Sequence, residues 1–233
     1  MNNKDLLSFI YYHPFLSKDD IEIFLNIEKV PIDLLKFQKL EFVSFLTYER
    51  VHYYFVTSKG ARILNVKSPY KREMREKMKF MLPHYIDTNK FFKTLKIYAD
   101  KNDIEFSDFI SDRFLKIKFS YSGKYFNINP DGFCSFNNEN FYVEIDRGTE
   151  GSFKILEKVD AYSAFFLSFS YKKYFDKFPK VLFIVPDKKR EKLLQERIRI
   201  FINSNKYKDE INFFKIFIFT DVEKNPLMIS NNL

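Results

Sequence analysis

Asn129-Pro130-Asp131-Gly132-Phe133-Cys134-Ser135-Phe136-Asn137-Asn138-Glu139-Asn140-Phe141-Tyr142-Val143-Glu144-Ile145-Asp146-Arg147-Gly148-Thr149 reads as a β-hairpin carrying three acids. Pro-Asp-Gly and the Asn pair are turn formers. Side chains alternate along a strand, so Phe141, Val143 and Ile145 fall on one face while Tyr142, Glu144 and Asp146 fall on the other. An even loop with Phe136 opposite Phe141 puts Phe133 opposite Glu144 and Asp131 opposite Asp146, all on one face. An odd loop moves Asp131 to the other face, because a one-residue slip inverts every side chain. Cys134 falls on the apolar face beside Phe136 and reads as a core thiol rather than a nucleophile.

Three carboxylates within ~5 Å of one another repel by about 3 kcal/mol per pair at an effective dielectric of ~20, so the hairpin calls for a compensating cation. A hard divalent ion such as Mg²⁺ (or Mn²⁺) uses one or two carboxylates plus water and phosphate oxygens, which suits this set of residues. The competing reading is an ordinary Pro-Asp-Gly turn, with Glu144 and Asp146 on the wet face of a half-buried strand.

A chain of 233 residues, 45% hydrophobic and 19% aromatic, is large enough for one or two packed domains. Its net charge of +8 suits a polyanionic partner. That charge is unevenly placed: residues 1 to 58 carry a net of −2, with six basic and eight acidic residues. Residues 59 to 79 hold Lys59, Arg62, Lys67, Lys71, Arg72, Arg75, Lys77 and Lys79 against Glu73 and Glu76. A second basic stripe, from Lys188 to Arg199, reads as the solvated face of a late helix. The single Cys excludes a disulfide framework and a thiolate zinc site. Lys4 and Asp5 interrupt the N-terminus and no apolar run approaches ~20 residues, so a cytoplasmic protein without a membrane partner is expected.

Along the chain, residues 1–65 have the order of a winged helix. Helices are expected from Leu6, from Ser17 with its capping partner Asp20, and from Pro31. A hairpin of Phe42–Leu46 and Val51–Val56 follows, and Thr57 to Leu64 closes the unit. In such a module the third helix and the wing contact DNA, which nominates Lys36, Lys39 and Arg50, with Lys59, Lys71, Arg72 and Arg75 adding backbone charge. A protein-binding or dimerisation winged helix fits the net −2 equally well. Residues 66–88, with Pro69 and Pro83, read as a basic connector. Residues 89–233 read as helices to about Phe114, then strands, the acidic hairpin, a helix capped by Thr149, a buried strand at Val181–Val185, a basic helix and a last strand at Phe213–Thr220. The whole is α/β (α+β), with a mixed central sheet flanked by helices.

This order, with Glu144-Ile145-Asp146-Arg147-Gly148-Thr149 and then Lys154, Lys158 and Tyr162 at four-residue steps, resembles the replication-relaxation family of plasmid and mobile-element proteins. The second half resembles in turn the PD-(D/E)xK nuclease superfamily, whose motif pairs an Asp with a following acid to hold metal and adds a Lys two residues later. The resemblance implies that Asp131 and Glu144 hold Mg²⁺ or Mn²⁺. Asp146 stands where the Lys is expected, so the water-positioning role falls to Asp146 or to Lys154 or Lys158 from the next helix. Arg147 either faces a phosphate or pairs with Asp146 or Glu144; Asp108 and Asp112 are further acids on the preceding helix. What is implied is a DNA-binding protein of replication, relaxation or mobilisation with a nuclease-like domain, acting with replication or mobilisation proteins and compatible with a homodimer. The alternatives are an active metal-dependent endonuclease or nickase, and a transcriptional regulator with a scaffold second domain.

Overall fold

The computed structural model of the protein describes residues 3–27, 30–67, 75–149, 151–204, 212 and 216–221. The chain divides into two compact units, Met1–Ile97 and Tyr98–Leu233.

In the first unit, α1 (Asn3–Tyr12), α2 (Lys18–Leu25) and α3 (Pro31–Lys39) precede a hairpin of β1 (Val43–Tyr48) and β2 (Val51–Val56) and the short α4 (Ser58–Ile63). Ser17 starts α2 as expected: its Oγ accepts from the Asp20 N–H at 3.1 Å, while the Asp20 carboxylate accepts from the Ser17 N–H at 2.9 Å. Leu6, Leu7, Ile10, Ile21, Leu34 and Val56 fill the core between these elements. Gly60 lets α4 press onto the strand end, where a Cβ would stand 2.2 Å from the Phe42 carbonyl oxygen.

Residues 75–88, read from sequence as connector, form the first half of the 28-residue helix α5 (Arg75–Asn102), with Pro83 inside it. Met78, Leu82 and Tyr85 recur at helical spacing and bury against Phe15, Leu46 and Phe55. That apolar stripe outweighs the one hydrogen bond a proline removes.

The second unit is built on a five-stranded sheet in the order β3 (Phe106–Ser111), β6 (Gly132–Phe136), β7 (Glu139–Ile145), β8 (Lys180–Val185), β9 (Phe217–Asp221). The first three strands are antiparallel to their neighbours, whereas β7, β8 and β9 run parallel, so the sheet is mixed and the class is α+β as expected. One expectation fails: Phe106 to Phe114 is not helical but forms β3 and a 3-10 turn at Asp112–Phe114. Pairing with the edge of β6, Phe106 to Phe136 and Ile110 to Phe133, satisfies the backbone of this segment instead. Asp108 therefore lies on a strand, its side chain outside the described residues, and Asp112 lies in the turn.

The segments β4 (Ile117–Tyr121) and β5 (Lys124–Ile128) form a separate two-stranded hairpin. Helix α6 (Ser152–Leu167) follows β7, and α7 (Lys188–Ser204) follows β8. The cap of α6 is Gly151 rather than Thr149. Both helices bury apolar residues, Val159 and Phe165 from α6 and Leu194 and Ile198 from α7, with Phe133, Tyr142 and Phe183 of the sheet. Among the described residues no helix is long and apolar enough to cross a membrane.

Candidate carboxylate site at one edge of the sheet

The hairpin turn is tighter than the sequence reading had it. Phe136 pairs with Glu139, not Phe141, leaving a two-residue loop of Asn137 and Asn138, both at positive φ (51° and 60°). Two left-handed residues make a turn whose twist matches the strands, and Asn tolerates that conformation. The register moves by two, so parity is kept while the partners change: the ladder ends with Gly132 opposite Val143, and Asp131 lies just beyond that end. Asp131 is tied there by its backbone, its N–H donating to the Val143 carbonyl at 2.9 Å, and by its side chain, Oδ2 accepting from the Ile145 N–H at 2.8 Å.

The acidic face is not wet. Glu144 is 2% exposed and Asp146 is also buried, because β7 is a central strand and α6 covers the face they occupy. Tyr162 donates its hydroxyl to Glu144 Oε1 at 2.6 Å, and the Lys158 ammonium stands 2.8 Å from Oε2. Residues four apart lie on neighbouring turns of one helix face, which is how Lys158 and Tyr162 reach one carboxylate. Each four-residue step also rotates by about 40°, and Lys154, one step earlier, is exposed.

Burial pushes the Glu144 carboxyl up from 4.5 to about 7; the Lys158 charge opposes the rise and the Asp131 charge adds to it. The Tyr162 hydroxyl is pushed well above its usual value, first by burial and then by the charge of Glu144. Asp146 has a different partner. Arg190, from the first turn of α7, grips it with Nε 2.6 Å from Oδ2 and Nη2 3.2 Å from Oδ1. Gly148, at φ 75°, turns its N–H back to Oδ1 at 2.9 Å. Arg147, the other candidate partner for these acids, is exposed. Cys134 is a fully buried free thiol, as expected, and burial pushes its pKa up.

The cation that the acidic hairpin calls for is thus supplied by side chains, Lys158 at Glu144 and Arg190 at Asp146. Among the described residues no group of three His, Cys, Asp or Glu is placed to hold a metal ion. The pair Asp131 and Glu144 remains as a two-carboxylate set of hard oxygen donors beside an ammonium.

Arg190 is the residue that sequence reasoning missed, by assigning it to a solvated stripe. A signal for it existed: if Val181–Val185 runs parallel to β7, both strands end at the same edge, and a helix starting just after one strand overhangs the residue just after the other.

The nominated DNA contacts are distributed along the chain. Lys36 and Lys39 are exposed on α3, and Arg50 is exposed at the tip of the β1–β2 hairpin. Lys59 is exposed but paired with Glu41 at 3.2 Å. Lys71 and Arg72 lie outside the described residues, as does the side chain of Arg75.

No curated protein and no solved structure matches the chain. The replication-relaxation family model does match, over residues 34–181, from α3 through Asp131, Glu144, Lys158 and Tyr162 to the start of β8. A match over more than half of the 233 residues makes this chain a member of the replication-relaxation family.

Proposed function

We propose that the protein is a DNA-binding member of a plasmid or mobile-element replication, relaxation or mobilisation system, with a nuclease-like second unit whose carboxylates are held by its own cations. The observation that carries this reading is Glu144, buried with one oxygen on Tyr162 and the other facing Lys158. A nuclease-type Asp–Glu pair with a lysine beside it supports the nuclease-like part. The occupation of both Glu144 oxygens favours weak, partner-dependent or absent cleavage. The helix, helix, helix, hairpin order of the first unit supports a winged helix, and the net charge of +8 supports DNA as its partner.

The active Mg²⁺-dependent endonuclease or nickase is the second reading, favoured by Asp131, near enough for its charge to act on Glu144, with an ammonium at hand. The donor set fits a hard divalent ion: Asp131 and Glu144 would hold Mg²⁺ or Mn²⁺, which supplies charge to a scissile phosphate and acidifies a bound water. Lys158 then stands in for the lysine that Asp146 displaces from the strand, and Asp146 keeps a structural bond to Arg190.

Supercoiled plasmid incubated with the protein and Mg²⁺ or Mn²⁺ separates the readings. Salt-sensitive retardation without nicking, weakened by neutralising Lys71, Arg72 and Arg75, is the result expected. Nicking that disappears in Glu144→Ala establishes the enzyme instead, and absence of any retardation removes the DNA-binding reading.

A further inference from the structure

The β4–β5 hairpin has one packed face and one bare face. On the packed face Phe119 stacks on Phe126 with ring centres 5.3 Å apart and meets Phe165 of α6 at 5.1 Å. Beside them Lys124 pairs with Asp160 of the same helix at 2.8 Å. These contacts fix the hairpin on α6 and leave the opposite face outward.

With Lys118 paired to Asn127 and Ser120 to Tyr125, the outward positions are Lys118, Ser120, Tyr125 and Asn127, with Lys116 and Asn129 continuing the same two rows. All six are exposed, and none is acidic. Tyr125 is the most exposed large apolar side chain of the described residues, at 89%. A rigid ribbon carrying an open aromatic ring, two ammonium groups, two amides and a hydroxyl matches one ligand chemistry well: a phosphate backbone with unpaired bases. Lysines suit phosphates of any nucleic acid, but the open ring face selects a base that is not already stacked in a duplex. From this ribbon only Asn129 and Pro130 separate β5 from Asp131 of the carboxylate pair.

We infer that the outward face of this hairpin binds single-stranded nucleic acid, with Tyr125 stacking on an unpaired base and Lys116 and Lys118 on the flanking phosphates. The inference rests on the DNA-binding reading above and adds to it the form of nucleic acid and the place where it binds.

Fluorescence anisotropy of the full chain with a short labelled oligothymidylate, and separately with a labelled duplex, tests it. Tyr125→Ala is expected to weaken oligothymidylate binding roughly 5- to 150-fold, the loss of one stacked base. Tyr125→Phe, which keeps the ring, should bind within about twofold of the parent. Replacing both Lys116 and Lys118 by Ala should reduce the salt slope on the single strand by about 1.4. Because Tyr125 is exposed, Tyr125→Ala keeps the parent's unfolding midpoint, and that measurement accompanies the titration. Unchanged oligothymidylate binding by Tyr125→Ala overturns the inference, and if the duplex is still bound the general DNA-binding reading survives. Equal losses on single strand and duplex overturn the single-strand assignment, and no binding to either form overturns both.

Discussion

Glu144 shows how a single residue sets the behaviour of the site. Its folded carboxyl holds a proton more tightly than the unfolded chain does, with a pKa of about 7 against 4.5. Stability from this group is therefore complete at low pH and declines as the pH rises from about 4.5 to about 7. In Glu144→Gln that segment of the pH profile should flatten, as followed by thermal unfolding across the range. Lys158→Met removes the opposing charge and leaves a buried carboxylate. It should cost about 2 kcal/mol at a pH of about 8, and clearly less at about 5 where Glu144 is neutral, measured by urea unfolding. Arg190 makes a sharper case, because Asp146 is buried and loses both of its guanidinium bonds together. Arg190→Met should cost about 3 kcal/mol, and Arg190→Lys should recover only part, since an ammonium does not reproduce the two-pronged contact. That contact was invisible in sequence, because a charge on a helix next to other charges looks solvated until the neighbouring strand's direction is known.

At the scale of elements, the β6–β7 hairpin was legible in kind and misplaced in detail. Alternation along Tyr142, Glu144 and Asp146 puts them on one face, where Glu144 meets Tyr162 of α6. Alternation is blind to a shift of two, so it left the register to the turn, and two left-handed Asn residues choose the tighter one. Asn138→Gly should stabilise the unit by about 0.5 kcal/mol, whereas Asn138→Val, β-branched at positive φ, should destabilise it by about 1–2 kcal/mol. Phe106–Ser111 was misread as helix because a short aromatic run has no distinctive period, and a sheet edge elsewhere in the chain decided it. Helix α5 was hidden for the opposite reason: Pro83 outweighed a helical stripe that packing makes decisive. In the first unit Gly60→Ala should cost about 1–3 kcal/mol, read from the unfolding midpoint, since the added methyl meets backbone rather than a movable side chain.

Over the whole molecule, the mixed sheet and the class followed from the order of turn signals and apolar runs, while the pairing of charges did not, because it depends on residues far apart in sequence. The net charge of +8 belongs to this scale as well. If Lys71, Arg72 and Arg75 all meet duplex phosphates, neutralising them should reduce the salt slope of duplex binding by about 2.7, as titrations at several ionic strengths would show. The parallel pairing of β7 with β8 has a further consequence during synthesis. Glu144 follows Asp131 out of the ribosome by thirteen residues and Lys158 follows Glu144 by fourteen, but Arg190 follows Asp146 by forty-four. At ~5–20 residues per second, the nascent hairpin carries its acids for some seconds before the second of its counter-charges exists, so the edge of the sheet where they meet is completed only when α7 has been made.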